Sequence, residues 1–218
     1  MEARPSLCNA AYQTQALLGS AGEKLLQEKF STEKRAQAFY SHQVLNYLNE
    51  RMREFIACQE MVFIATADEH GESDCSFRAG PKGFVEVVNE RELRYPEYRG
   101  NGVMASLGNL VGNAHVGMLF IDFFESKIGL HVNGTARIVE EPCYADPELQ
   151  KTAEGSRAGS PVEHWVEVKV EEAYIHCSKH IPRLKKVPKD IFLGTDEAVR
   201  KGGDYFGVKR AKEQRVKP

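Results

Sequence analysis

Arg99, Gly100, Asn101, Gly102, Ser106 and Asn109 sit within one short stretch that joins an extended segment to a helical one. A helix N-terminus carries unpaired N–H groups and a partial positive charge, and glycine lets an anion approach the backbone closely. The chemistry this spacing suits is the holding of a phosphate monoester. These residues alone leave open a second reading, a glycine turn with Ser106 and Asn109 facing water. Arg78 offers a second anion-binding group, because its planar fork can bind phosphate through two parallel hydrogen bonds. Strand alternation puts Asp74, Ser76 and Arg78 on one polar face, and Ser73, Cys75 and Phe77 on the other.

Other chemistries find less support. Gly100, Gly102 and Ala105 match a loose dinucleotide-binding fingerprint, and Asp122 follows at a suitable distance. That fingerprint needs a buried parallel strand before its first glycine, whereas Arg94 to Tyr98 is polar and contains Pro96. A nicotinamide-dinucleotide protein is therefore the minor alternative. His176, Cys177 and His180 are close in sequence, but neighbours on a strand point to opposite faces, so no metal site is expected. Phosphate-loop lysines, serine-hydrolase elbows and zinc-protease motifs have no match.

The elements that would position these groups follow from periodicity. Residues 14–59 read as helical, with Ser31 or Thr32 as a cap and a stripe of Leu45, Leu48, Met52, Phe55 and Ile56 ending near Cys58. The period then falls to two. Met61 to Ala67 and Ser73 to Arg78 flank the turn-forming Asp68-Glu69-His70-Gly71. Phe84 to Val88 and Arg91 to Tyr95 form a second pair, which Pro96 should end. A helix-sized insert, Gly100 to Asn113, precedes the apolar strand Val116 to Asp122.

Lys127 to Glu140 alternates with unchanged parity across Asn133-Gly134, which favours one long strand over a hairpin. Residues 141–160 read as a loop with a short helix. In the last strand the apolar set passes from Val166, Val168 and Val170 to Ala173 and Ile175, so a β-bulge is expected at Glu171-Glu172. Short antiparallel strands with one inserted helix indicate a mainly β protein with flanking helices, built as a small split barrel. The expected divisions are 1–59 as a helical extension packing on the barrel, 60–182 as the barrel, and 183–218 as a C-terminal extension.

Composition bounds the partners. The chain has 218 residues and a formal net charge of -2, so no overall field favours nucleic acid. The basic stretch 200–218 is interrupted by Asp204 and Glu213 and reads as a solvated extension. Five cysteines without close pairing suit a reducing compartment, and no apolar run reaches the length of a membrane helix. A cytoplasmic protein without membrane or nucleic-acid partners is the expectation.

The ordered series Met61-Val-Phe-Ile-Ala-Thr-Ala, Asp74-Cys-Ser-Phe-Arg-Ala-Gly-Pro, Gly83-Phe-Val, Tyr98-Arg-Gly-Asn-Gly, Ser106-Leu-Gly-Asn, Asn113-x-x-Val-Gly-Met-Leu-Phe-Ile-Asp and Val132-Asn-Gly-x-Ala resembles the pyridoxamine 5'-phosphate oxidase-related flavin proteins. It spans roughly Arg51 to Pro182. The resemblance implies a six-stranded antiparallel split β-barrel, a homodimer, and flavin mononucleotide (FMN) at the subunit interface. It places Ser76, Phe77 and Arg78 against the flavin, Tyr95 near the ribityl chain, and Arg99, Asn101, Gly102, Ser106 and Asn109 around the phosphate. His176 and Lys179 would complete the ring site of the partner subunit.

The true oxidases carry basic residues where this chain has Ala105 and Ser106, and they end in an aromatic and arginine-rich signature that Lys185 to Pro218 lacks. The resemblance therefore points to a flavin-dependent oxidoreductase acting on another small molecule, with NADH or NADPH as candidate donors. A deazaflavin in place of FMN, and a flavin carrier or sensor without turnover, are the alternatives.

Overall fold

The computed structural model describes residues 18–139, 162–187 and 203–216. Met1–Gln43 and Val44–Pro218 form two compact units. The first holds α1 (Ala21–Lys29) and α2 (Glu33–Gln43). Ser20 caps α1 by accepting the Glu23 N–H, and Ser31, at φ 53°, breaks the chain between the two helices. Among the described residues, the helical stretch expected over 14–59 holds three helices, α2 beginning directly after the cap expected at Ser31 or Thr32.

The third, α3 (Glu50–Ala57), belongs to the second unit and starts at Asn49, whose side chain accepts the Met52 N–H at 3.0 Å. Residues 44–49 are not helical because their backbone bonds go to the sheet. Leu45 exchanges both bonds with Ala173, and the Leu48 N–H donates to the Glu90 carbonyl. Leu48 and Ile56 are wholly buried, each burial being worth about 1.5–3 kcal/mol.

Among the described residues seven strands, one more than the resemblance implied, form one sheet in the order β2-β1-β5-β6-β7-β4-β3, with every pairing antiparallel. They are β1 (Met61–Ala67), β2 (Ser73–Ala79), β3 (Glu86–Asn89), β4 (Glu92–Tyr98), β5 (His115–Ile121), β6 (Gly129–Val139) and β7 (Val162–His176), with α4 (Ala105–Gly112) between β4 and β5. The dinucleotide-binding alternative falls here, because the glycines follow an antiparallel strand.

Pro96 does not end β4. The strand runs on to Tyr98, with Pro96 opposite Trp165, because β3 pairs only as far as Arg94 and leaves that side of β4 an edge where a missing N–H costs no ladder bond. β6 is continuous through Asn133-Gly134. Asn133 faces Glu172 while Gly134 faces Val170, so Glu171 is the extra residue of the expected bulge. A Cβ at Gly134 would lie 2.0 Å from the Lys169 carbonyl oxygen, so only glycine fits there.

The bulge keeps both halves of β7 facing inward: Val166, Val168, Val170 and Ala173 are all buried. They pack with Val62, Ile64, Leu93, Met118, Phe120 and Val132 in one core. After a 3₁₀ turn at Ser178–His180 the described chain runs to Val187, resumes at 203 and ends in α5 (Val208–Val216), exposed over 208–214. The loop and short helix expected over 141–160 lie outside the described residues. Among the described residues no helix is long and apolar enough to cross a membrane.

Candidate functional site

A cleft of about 840 Å³ opens between β2, the end of β4 and the first turn of α4. Ser76, Phe77, Arg78, Arg99, Asn101, Gly102 and Ser106 all border it. Its floor and its helical rim are built differently.

The rim comes from the segment 99–107. Asn101 bends the chain by accepting the Val103 N–H on Oδ1 at 3.0 Å, and Gly102 takes φ 80°, a left-handed value that favours glycine. A Cβ at Gly100 or Gly102 would meet nothing within 4 Å, so the backbone there is open to a ligand. Met104, also left-handed at φ 54°, precedes α4 without any side-chain cap. The first-turn N–H groups therefore keep their donor capacity, and Met104 to Leu107 line the cleft.

A polar cluster anchors that helix end to β2. The Ser76 and Ser106 hydroxyls donate to Asp74 Oδ2 at 2.8 and 3.1 Å and lie 3.0 Å from each other. One turn on, Asn109 Nδ2 donates to Thr66 Oγ1 at 3.1 Å. Leu107 and Leu110 bury the apolar side of the helix. Ser106 is itself buried, so its hydroxyl serves to fix the helix and its backbone N–H is the part left for a ligand.

In the floor, Arg78 turns its fork onto Glu97. Arg78 Nε donates to Glu97 Oε1 and Oε2 at 2.9 and 3.1 Å, and Nη2 lies 2.8 Å from Oε1. The pair borders the cleft with side chains 22% and 11% exposed. Glu97 was missed in the sequence because Pro96 seemed to end the strand before it, which hid its alternation with Tyr95.

Several expected residues lie elsewhere. Tyr95 is wholly buried, in line with Leu93 on the core face of β4, and offers a ribityl chain no surface. Burial, reinforced by the Glu97 charge, pushes its phenol well above the ordinary tyrosine value, so it stays protonated. Asn109 braces α4 from below the cleft. Phe77 reaches the cleft edge, but its ring packs on Phe63 with centroids 5.5 Å apart.

His176 and Lys179, which the resemblance assigns to the partner's site, lie away from the cleft of their own chain. His176 Nδ1 is 2.9 Å from His131 Nε2, and His131 stacks on Tyr174 at 4.7 Å. Lys179 is exposed in the 3₁₀ turn.

The open glycine backbone, the uncapped helix and the nearby Arg99 suit a phosphate monoester such as that of FMN, and the cleft has room for more than a phosphate. Asp74, Glu97 and Glu163 stand against Arg78 and Arg99 among the ionisable groups of the lining, so the attraction for an anion must be local to the rim.

The family described as pyridoxamine 5'-phosphate oxidase matches residues 48–177, more than half of the chain. No curated protein sequence matches. Among solved structures, HupZ from Group A Streptococcus is 22% identical with a TM-score of 0.46, covering 63% of this chain and 99% of that one. An FMN-binding protein from Syntrophomonas wolfei is 17% identical with a TM-score of 0.45, covering 69% and 96%. HutZ from Vibrio cholerae, described as a heme storage protein, is 17% identical with a TM-score of 0.41, covering 59% and 94%. With its antiparallel split-barrel sheet, its helix α4 and the matched span across both, the chain belongs to the pyridoxamine 5'-phosphate oxidase family of flavin-binding split barrels.

Proposed function

We propose that this chain is an FMN-dependent oxidoreductase that passes reducing equivalents between a nicotinamide donor and a small acceptor other than pyridoxamine 5'-phosphate. The observation that carries the proposal is the uncapped first turn of α4, set behind Gly100 and Gly102 and held to β2 by the Asp74, Ser76 and Ser106 cluster. Bound there, FMN would supply hydride chemistry at its ring.

The chain's own work is then positional. The α4 N–H groups and Arg99 hold the phosphate, the Asp74 cluster keeps α4 in place, and the floor of the cleft meets the rest of the molecule. Tyr95, buried and protonated, supports the wall without exchanging a proton. No side chain need act as acid or base for hydride transfer itself. Val103, Met104 and Val111 are exposed around α4, and Phe77 at the cleft edge is half exposed. This apolar rim supports a homodimer in which a second copy covers the cleft and excludes water from it.

The visible spectrum of the purified protein, before and after addition of FMN, tests the cofactor. Flavin absorption, or stoichiometric uptake of FMN, is expected. A protein that ignores FMN and takes up only a deazaflavin or haem would overturn it. Anaerobic NADH or NADPH should bleach the bound flavin, and failure of both nicotinamides to do so would favour a carrier or sensor.

A further inference from the structure

We infer that the start of β7 builds a second subsite in the cleft, where His164 Nε2 donates a hydrogen bond to the carbonyl oxygen of an uncharged small molecule and Glu163 turns anions away. On the proposed function this molecule is the acceptor. That identification rests on the proposed function, whereas the subsite itself does not.

The strand register explains how two neighbours come to share the cleft. Successive residues of a strand point to opposite faces, yet Glu163 and His164 both line the cavity. Glu97 of β4 faces His164 and Tyr98 faces Val162, so Glu163 is the extra residue of a second bulge in β7. His164 keeps the parity of the buried Val166 and Val168, and the bulge frees the exposed Glu163 from the alternation.

The two ring nitrogens of His164 have different surroundings. Nδ1 is buried and has no hydrogen-bond partner, whereas Nε2, also without a partner among the described residues, is not buried. A buried N–H without an acceptor costs more than a buried lone pair, which assigns the proton of the neutral ring to Nε2. The Tyr95 hydroxyl, also buried and unpaired, belongs to the next residue pair on that face and is a donor, the complement of a bare Nδ1. His164 therefore offers the cavity a donor.

Charge selects what that donor meets. Arg78 is already matched by Glu97, and the bulge adds the Glu163 carboxylate beside His164. An anion at His164 is repelled by that carboxylate, while a neutral carbonyl oxygen finds a hydrogen bond without the penalty. A nicotinamide donor carries phosphates, so this corner suits the acceptor instead.

The corner also stands apart from the helical rim. α4 is anchored to β2 through Ser76 and Ser106, β2 reaches β4 through Arg78 and Glu97, and β7 lies one strand further. At about 840 Å³ the cleft is in the upper half of the roughly 300–1,000 Å³ that ligand clefts span, so it has room for a small molecule beside one held at the rim.

Benzamide and benzoate share a ring and differ in charge, which makes them matched probes. Each is titrated into the full-length chain, with and without saturating FMN, while the histidine imidazole signals are followed by NMR. The signal that His164→Phe removes identifies His164. Benzamide should shift that signal saturably, in the presence of FMN as in its absence. His164→Phe keeps a ring without the donor, and should weaken benzamide about tenfold while leaving FMN affinity unchanged. Benzoate should bind more weakly than benzamide, and Glu163→Gln should narrow that gap about fivefold.

The subsite is overturned if benzamide leaves the His164 signal unmoved, if FMN expels benzamide, or if His164→Phe weakens FMN as much as benzamide. A gap that Glu163→Gln leaves unchanged would overturn the role of Glu163. A chain that binds no FMN but still takes benzamide at His164 would overturn the proposed function and leave the subsite standing.

Discussion

The two faces of the sheet solve the problem of half-buried ionisable groups in opposite ways. In the cleft, Arg78 meets Glu97 and the charges cancel, with three nitrogen-to-oxygen contacts of 2.8 to 3.1 Å. On the β6–β7 face, His131 meets His176, two groups of the same kind that can share a hydrogen bond only while at least one ring is neutral. The first arrangement joins opposite charges in the wall of the cleft. The second brings together two imidazoles with no opposite charge between them, so the two contacts hold a half-buried ionisable group in different ways.

Breaking the cleft pair should have the larger effect. Arg78→Ala strands the Glu97 carboxylate, 11% exposed, without its counterion, and should cost about 2 kcal/mol of stability after allowance for the partial exposure of the pair. Thermal or urea unfolding measures this. A loss no greater than that of an ordinary surface substitution would show that the pair is solvated and the wall is not built as described.

The histidine pair should contribute less and only on the acid side. Burial, and then the neighbouring His176, lower the His131 pKa below its ordinary 6.5. A lowered histidine pKa favours the neutral form in the folded state, so this contribution is present above pH 6.5 and declines as the pH falls below it. The loss should be a few tenths of a kcal/mol, since the site is partly solvated. His131→Gln should flatten that acid-side decline in melting temperature between pH 7.5 and 5.5, and an unchanged profile would assign the decline to other groups.

What was legible in the sequence follows which signals are local. Parity placed the faces of β6 correctly and located the β7 bulge at Glu171, because both depend only on neighbouring side chains. Glycine spacing marked the α4 entry for the same reason. The helix start at Ser31 or Thr32 was legible as a cap and lies directly before α2, whereas the break at residues 44–49 was not, since it rests on bonds to Ala173 and Glu90, distant in sequence.

The site divided along the same line. Ser76, Phe77, Arg78, Arg99, Asn101, Gly102 and Ser106 reach one cleft. Tyr95 did not, because an aromatic residue on a strand gives no sign of which face its partners will cover, and here Val166 and the core cover it. Glu97 stayed hidden because Pro96 is a strand breaker only where both edges are paired, and the length of β3 decides that.

Backbone amide NMR of the chain titrated with FMN addresses the central claim most directly, because it reports position as well as binding. The largest shifts are expected at the N–H groups of Gly102, Ala105, Ser106 and Leu107, with smaller ones at Arg78 and its neighbours on β2. Saturable shifts confined to the β6–β7 face around His131 and His176, with α4 silent, would contradict the claim that this cleft is the flavin site.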